Sequence, residues 1–403
     1  MNKNSNKTSW KWNIIISLFL CTVLWGGLRS AYGVFFKEML STFEWPAAQL
    51  ASLQSLNLLI YGFCSPWIGW LATRFWPFDR LSILCGWILT AVGLASSAFA
   101  CSYPALFVCY GLLFGFGTTL ASPVSFNIAL NRRVTLHRGL AIGLVSAGAG
   151  IGTFLLTPQI QIAILHYGWR KALVYLSFFP LSLIFLVVLL LGEYRNEQLV
   201  FHTNPETESL TFLTPYRNFA LIAFTPLQFL VIQFFIVHGI KMMDVATISA
   251  PRAATIFSLS GILNAVGRIA FGYLLDRTPL GIIGLINYSA ILISGISALL
   301  LSVFRHVVFA YVTFTTMGLA WAISIPQAVV VLNKIVGLQK FASYYGLVEA
   351  FIGFGGALGA MVGGISLDVF NGYEFAIFIC IVCIGLSIGC YASVLNILQD
   401  RQS

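Results

Sequence analysis

The sequence predicts an all-α membrane protein with twelve transmembrane helices, and three observations lead to that prediction. The chain of 403 residues is 59% hydrophobic and only 9% charged, with a mean hydropathy of +0.89, whereas soluble domains contain about 25% charged residues. Its apolar residues form continuous runs of about twenty, the length of a helix that spans a bilayer. Lysine and arginine collect in alternate loops. The composition excludes a soluble enzyme, a disulfide scaffold and a disordered chain.

The apolar runs place the spans in order along the chain. We predict helices at 13–36, 47–71, 81–100, 103–126, 138–163, 171–192, 218–240, 253–275, 281–303, 306–331, 341–367 and 374–397. The longest polar stretch, 193–217, lies between the sixth and seventh. It predicts an N-terminal six-helix half (1–192), a cytoplasmic linker (193–217) and a C-terminal six-helix half (218–403).

Basic residues predict the orientation, because cytoplasmic loops carry an excess of lysine and arginine. With both termini in the cytoplasm, fourteen basic residues lie inside and six outside. The outer ones are Lys37, Arg170, Lys171, Lys241, Arg252 and Arg305. The chain is therefore predicted to be N-in and C-in.

The sequence indicates no cofactor, no metal and no nucleic-acid partner. The net charge of +9 is scattered through short loops, unlike the clustered basic patch of a nucleic-acid-binding domain. Cys380 and Cys383 form a CxxC pair inside an apolar run with no other ligand beside them, so we interpret them as packing residues. No phosphate-binding loop is present, which disfavours ATP-driven transport by this chain alone.

Local sequence patterns recur half a chain apart. Residues 69–74 (GWLATR) follow the second span, and residues 272–277 (GYLLDR) follow the eighth, at an offset of 203. Gly148 and Gly152 in the fifth span correspond to Gly355 and Gly359 in the eleventh, at an offset of 207. These pairs indicate a duplicated six-helix unit, an arrangement that many transporters share.

The loop after the eighth span resembles the signature of the major facilitator superfamily. Gly272, Leu274, Asp276 and Arg277 match it, while Thr73 stands where the first-half copy would have aspartate. This resemblance implies the major facilitator fold, in which two halves rock around a central site. It also implies gating roles for Asp276, Arg277 and Arg74 near the cytoplasmic ends of the helices.

Other segments resemble the monocarboxylate transporters and the related oxalate/formate antiporters. The matches to the fifth-span signature are Arg138, Leu140, Ala141, Gly143, Ala147 and Gly148. Of the first-span signature, Ser9, Trp10 and Trp12 remain. The resemblance implies alternating-access transport of a small organic anion, most simply a monocarboxylate, by proton symport or anion exchange.

Three charged residues lie well inside predicted spans: Arg29, Arg268 and Glu349. A charge at a helix centre costs about 2.5–3.5 kcal/mol on insertion scales, so such residues are functional candidates. Asn264 and Arg268 share one helical face, and the family has an aspartate where Asn264 stands. Because asparagine cannot carry a proton, this position shifts the prediction partly from proton symport toward anion exchange or uniport.

Each in-span charge also has a structural interpretation. Arg268 either binds substrate or pairs with Glu349, and Glu349 either carries a proton or serves as the fixed counter-ion of Arg268. Arg29 either attracts an anion or extends to the outer interface. Tyr32, one turn further on, is a candidate hydrogen-bond donor, and His238 is expected at the outer interface.

The predicted partners are a small anionic substrate, the lipid bilayer and possible coupling protons, with the chain acting as a monomer. Short loops favour a bacterial-type inner membrane. An importer or exporter of a larger metabolite, drug or siderophore, which the aromatic content of 15% would suit, is the alternative. A non-transporting receptor or a membrane-embedded enzyme is disfavoured, since the sequence has no soluble domain and no intramembrane histidine cluster or paired carboxylates.

Overall fold

The computed structural model describes residues 12–75, 78–134, 138–191, 215–274 and 277–399, which are almost entirely helical. The first part of the chain contains α1 (Trp12–Ser30), α2 (Tyr32–Phe43), α3 (Ala47–Arg74), α4 (Phe78–Phe99), α5 (Tyr103–Leu106), α6 (Gly115–Leu120), α7 (Pro123–Arg133), α8 (Arg138–Tyr167) and α9 (Trp169–Leu191). A π-helical segment, Phe107–Phe114, joins α5 to α6. The second part contains α10 (Pro215–Val245), α11 (Ala250–Leu274), α12 (Leu280–Phe304), α13 (Val307–Phe370) and α14 (Glu374–Gln399).

The predicted class of protein, an all-α membrane protein, is confirmed by the helices and their apolar surfaces. Ten segments within the described residues are long and apolar enough to cross a bilayer. Large apolar side chains lie on the outside, among them Phe185 (70% exposed), Leu285 (69%) and Phe378 (64%). Lipid would solvate such a surface as well as a protein interior does. Two further helices, α3 and α9, occupy the second and sixth predicted spans, and the count of twelve with its N-in/C-in orientation stays a prediction.

Two predicted spans contain breaks that the apolar runs do not reveal. The first span is two helices, α1 and α2, which meet at Ala31. The fourth is interrupted at Ala121 and Ser122, just before Pro123 begins α7. Proline lacks an amide hydrogen and its ring crowds the preceding turn, so Pro123 suits the first turn of a new helix. Membrane helices also tolerate proline in their interior, as Pro66 of α3 and Pro226 of α10 show.

The predicted loop between the tenth and eleventh spans is also helical, because α13 is continuous from Val307 to Phe370. α13 is nevertheless not straight, because its two apolar segments, Val307–Leu332 and Gly346–Phe370, run in opposite directions and the helical chain reverses between them. Gly318 packs on Ser260 and Ala322 on Gly267, so the first segment is parallel to α11. The second segment runs parallel to α10, with which its glycines make successive contacts along the helix. Phe314 packs against both Phe235 of α10 and Phe257 of α11, which places the end of α10 beside the beginning of α11.

The sequence repeat reappears in the helix packing. Gly148 and Gly152 of α8 contact Val23 and Gly27 of α1, and their counterparts Gly355 and Gly359 of α13 contact Pro226 and Leu230 of α10. Pro226 and Leu230 follow Val23 and Gly27 by the offset of 203. Small residues let helix backbones approach closely in a membrane. The division into halves at 193–217 stays a prediction, since most of the linker lies outside the described residues.

Two antiparallel helix pairs join the two parts of the chain. α3 packs along the second segment of α13, where Gly62 contacts Ala350 and Pro66 contacts Gly346. α8 packs along α11, where Gly150 contacts Gly261. These pairs correspond to one another in the repeat, because α3 is the counterpart of α11 and α8 is the counterpart of the second segment of α13. Arg268 of α11 and Glu349 of α13 lie on these paired helices, and Arg29 of α1 lies beside Tyr61 of α3.

Candidate functional site

Arg268 and Asn264 lie where α11 packs against α8, on one face of α11 as their spacing predicts. Arg268 Nε donates a hydrogen bond to Asn264 Oδ1 over 3.0 Å, and Arg268 Nη1 donates to the carbonyl oxygen of Ser146 on α8 over 3.3 Å. The asparagine is fully buried and the arginine half-buried. Asn264 orients the guanidinium, and the guanidinium contacts both parts of the chain.

The amide nitrogen of Asn264 is poorly satisfied. Nδ2 is buried and finds no hydrogen-bond partner within the part of the chain that the structure describes. Leaving such a donor unsatisfied costs about 1–3 kcal/mol. An acceptor oxygen brought to this position would therefore be stabilised by Asn264 as well as by the permanent charge of Arg268.

Arg29 extends into the protein and not toward the end of its helix. Its guanidinium carbon lies 5.1 Å from the ring centre of Trp25, one turn back along α1, and 5.3 Å from that of Tyr61 on α3. We call Trp25 and Tyr61 the aromatic bracket. Trp25 is fixed in turn, since its Nε1 donates to the carbonyl oxygen of Thr118 over 2.9 Å. This direction is opposite to the one that extension to the outer interface requires.

Cation–π contacts stabilise a guanidinium without occupying its hydrogen-bond donors. Arg29 Nη1 is buried and has no hydrogen-bond partner among the described residues. The bracket therefore holds a permanent positive charge inside the helix bundle while leaving a donor unsatisfied. Such an arrangement would be stabilised by an anion.

Glu349 lies on the second segment of α13 and is 7% exposed. The phenol of Tyr61 lies within electrostatic range of both this carboxylate and the Arg29 guanidinium. Tyr61 therefore interacts with both a cation of the N-terminal part and an anion of the C-terminal part. The repeat makes Tyr61 the counterpart of Asn264, at the offset of 203. The direct pairing of Glu349 with Arg268 stays a prediction.

Tyr32 belongs to the packing of the N-terminal part. Its ring is fully buried against Tyr110, with ring centres 5.3 Å apart. Its hydroxyl donates to the carbonyl oxygen of Leu50 at the beginning of α3, over 2.5 Å. A role as a substrate donor stays a prediction and would require this hydrogen bond to be exchanged.

The expected interfacial position of His238 is wrong, because the side chain is fully buried. Its Nε2 lies 2.7 Å from the carbonyl oxygen of Ala360, and its Nδ1 lies 3.3 Å from the hydroxyl of Tyr373. The ring of Phe36, from the N-terminal part, packs edge-on at 4.8 Å. Hydropathy placed this residue near a helix end, whereas three packed helices enclose it.

The predicted gating residues are only partly described. Arg277 is exposed, and its guanidinium lies 3.8 Å from the ring centre of Tyr273. Arg74 is the last residue of α3, and the structure describes its backbone but not its side chain. Asp276 lies outside the described residues. Their gating role stays a prediction. Within the described residues, no group of three or more histidine, cysteine, aspartate or glutamate side chains forms a metal site.

Contacts that sequence analysis did not predict join the two parts at one face of the bundle. Lys37 of α2 pairs with Asp244 of α10, with Nζ and Oδ1 2.7 Å apart. Asp368 of α13 accepts hydrogen bonds from the backbone amides of Ala47 and Ala48 at the beginning of α3. We call the surface where these contacts lie the closed face. In the sequence, these contacts are marked only by polar residues at predicted helix ends, and that pattern does not show which of these residues pair with one another.

The fold and the charges inside it define a multi-pass membrane transporter. The chain belongs to the major facilitator superfamily, whose family model matches residues 18–360. Monocarboxylate transporter 13 of Bos taurus is 30% identical over 371 residues, which cover 90% of this chain and 84% of the relative. Human monocarboxylate transporter 12 is 25% identical, with 92% and 78% covered. The resemblance to the major facilitator superfamily and to the monocarboxylate transporters is confirmed, and the relatives are transporters and not enzymes.

Solved structures share the fold at low sequence identity. The nucleoside transporter NupG superimposes with a TM-score of 0.72 at 15% identity, covering 96% of this chain and 98% of NupG. A bacterial homologue of the human lysosomal transporter Spinster, in an inward-facing and occupied conformation, gives 0.67 at 18% identity, covering 96% and 92%. These similarities establish the architecture alone.

Proposed function

We propose that the protein is a secondary active transporter of small organic anions, with monocarboxylates as the substrate class. The contact of Arg268 with Asn264 and α8 carries the proposal. It puts a permanent cation and an unsatisfied amide donor at a place where the two parts of the chain meet. The names of the relatives support the same substrate class.

Arg29 is the second anion-attracting residue in this proposal. It lies on α1, in the N-terminal part, and Arg268 lies on α11, in the C-terminal part. With Glu349, the three in-span charges sum to one positive charge. A bound carboxylate would neutralise it, which lowers the cost of keeping these charges away from water. Alternating access then moves the anion by rocking one part against the other.

Coupling is proposed to be either proton symport or anion exchange. Asn264 does not titrate, so Glu349 is the candidate proton carrier for symport. An anion-exchange mechanism requires no titrating group, because the carrier returns with a second anion bound. The predicted location in a cell inner membrane and the monomeric state remain part of this proposal.

The test is uptake of labelled carboxylates into proteoliposomes containing the wild type, Arg268→Gln or Arg268→Lys. Lysine keeps the charge and loses the planar fork that matches a carboxylate. We expect saturable uptake of a short monocarboxylate, reduced at least about tenfold by Arg268→Gln, since charge-assisted hydrogen bonds contribute about 1.5–3 kcal/mol. Arg268→Lys should be intermediate.

Two results would contradict the proposal. One is equal uptake by the wild type and Arg268→Gln. The other is wild-type protein, folded by its thermal unfolding profile, that transports no carboxylate. Saturable transport of a bulky amphiphile instead would favour the larger-cargo alternative.

A further inference from the structure

An ion pair with two lysines joins the parts of the chain at the closed face. Asp244, at the end of α10, receives Lys37 Nζ of α2 on Oδ1 at 2.7 Å and Lys241 Nζ of its own helix on Oδ2 at 2.8 Å. The lysine and aspartate side chains are 18% and 32% exposed. Partly exposed pairs contribute up to about 1 kcal/mol, so this contact is strong enough to bias an equilibrium and weak enough to break.

The second contact caps a helix with a carboxylate from the other part of the chain. The first amides of α3 have no partner within the helix, and the residue before Ala47 is Pro46, whose side chain has no oxygen to accept a hydrogen bond. Asp368, at the end of α13, supplies both oxygens: Oδ1 accepts from the Ala47 amide at 2.6 Å and Oδ2 from the Ala48 amide at 2.8 Å. Its charge also suits the positive end of the α3 dipole.

The backbone between these contacts is tightly packed. Gly33 of α2 lies against the carbonyl oxygens of Ile236 and Val237 of α10, and Gly364 of α13 lies against Ala48 of α3. A side chain at Gly33 or Gly364 would overlap backbone atoms of the opposite part. The ion pair and the cap therefore lie beside backbone contacts that exist only while the two parts pack together at the closed face.

We propose that the pair Lys37–Asp244 and the Asp368 cap of α3 are the two latches of a gate at the closed face. Both form when the parts meet at this face and both break when the parts separate, releasing Asp368 and the α3 amides to water. With the predicted N-in orientation, this is the external gate. The proposal depends on the alternating access assumed in the proposed function, and not on the identity of the substrate.

Charge reversal tests the ion pair with a readout that needs no substrate. Spin labels at Ser41 and Ser249, both exposed and on opposite parts, report the separation across the face in a background whose eight native cysteines are replaced. Lys37→Asp and Asp244→Lys should each increase the population with the longer distance about fivefold, the equilibrium equivalent of about 1 kcal/mol. The double variant should restore the wild-type distribution.

Lys171→Asp is the matched control, because Lys171 is an exposed lysine of α9 outside the two latches. It should leave the distances unchanged. Distributions that are the same in the wild type and in both single reversals would overturn the ion-pair latch. Failure of transport with the expected distance changes would contradict the proposed function and leave the gate standing.

Asp368→Ala and Asp368→Asn test the cap. Alanine removes both acceptors, whereas asparagine keeps one and loses the charge. Losing a helix cap changes an equilibrium by about fivefold on average, so the open population should rise by this factor in the alanine variant and less in the asparagine variant. A lower unfolding temperature without any change in the distances would show that Asp368 only stabilises α3, and would overturn its role as a latch.

Discussion

At the scale of single residues, the environment of Arg29 determines what its charge can do. Aromatic faces on two helices hold the guanidinium, and Nη1 is buried without a hydrogen-bond partner among the described residues. A cation–π contact is worth about 0.5–2 kcal/mol, more when it is desolvated. The bracket therefore positions a cation without neutralising it, which is what the proposed anion site requires.

The bracket predicts different effects for two substitutions of Tyr61. Tyr61→Phe keeps the ring face and should leave the substrate concentration for half-maximal uptake within about twofold of wild type. Tyr61→Leu removes the ring and should raise it by about 2- to 30-fold, the range that cation–π energies imply. The measurement is the concentration dependence of uptake into proteoliposomes.

A double-mutant cycle that combines Tyr61→Leu with Arg29→Gln tests whether Tyr61 affects uptake by positioning Arg29 or by stabilising the protein in general. If Tyr61 acts through Arg29, Tyr61→Leu should have no further effect in the Arg29→Gln background. If Tyr61→Phe and Tyr61→Leu raise the substrate concentration for half-maximal uptake equally, the effect of Tyr61 on uptake comes from its hydroxyl, beside Glu349, and not from its ring.

At the scale of helices, close backbone approach determines how α8 meets α11. A Cβ atom built on Gly150 would overlap the carbonyl oxygen of Gly261 and the backbone of Ala265, while one on Gly143 of the same helix would meet nothing. Arg268 reaches the Ser146 carbonyl because no side chain separates the two helices one turn away. The glycines are therefore part of the geometry of the site.

We predict that Gly150→Ala destabilises this arrangement by about 1–3 kcal/mol, the usual penalty of overpacking. Gly143→Ala, the matched control, should be neutral or slightly stabilising, because alanine is the better helix former by about 0.5–1 kcal/mol. Thermal unfolding in detergent and uptake by the same preparations measure both effects. Equal unfolding temperatures and equal uptake in Gly150→Ala and Gly143→Ala would mean that α8 and α11 do not pack this closely.

At the scale of the whole molecule, the position of Glu349 bears on how transport is coupled to protons. It is a buried carboxylate on α13 beside Tyr61 of α3, so the proposed separation of the two parts would change its environment. Burial disfavours the charged form of a carboxylate and a nearby cation favours it. A movement that alters both effects would alter proton affinity during the transport cycle.

If Glu349 carries the coupling proton, Glu349→Gln should abolish uptake driven by a proton gradient and retain exchange of labelled for unlabelled anion. Glu374→Gln, at the exposed beginning of α14, is the matched control and should keep both activities. Retained gradient-driven uptake in Glu349→Gln would exclude Glu349 as the carrier. Wild-type uptake that occurs only with internal anion would establish exchange.

The sequence by itself determined the class of protein, because continuous apolar runs have only one stable arrangement in a bilayer, in which every backbone group is bonded within its helix. It also identified Arg29, Arg268 and Glu349 as exceptions to that apolar pattern and the glycines as close contacts. It did not determine helix breaks such as the one at Ala31, since breaks within a span leave hydropathy almost unchanged.

The tertiary structure alone decided which partners these residues have. The direction of Arg29, the burial of His238 and the capping of α3 by Asp368 depend on side chains far apart in the sequence, and Asp368 follows Ala47 by 321 positions. Hydropathy describes the depth of a residue along its own helix. It carries no information on which neighbouring helix supplies the ring, the carbonyl oxygen or the carboxylate at that depth, because packing between helices sets those contacts.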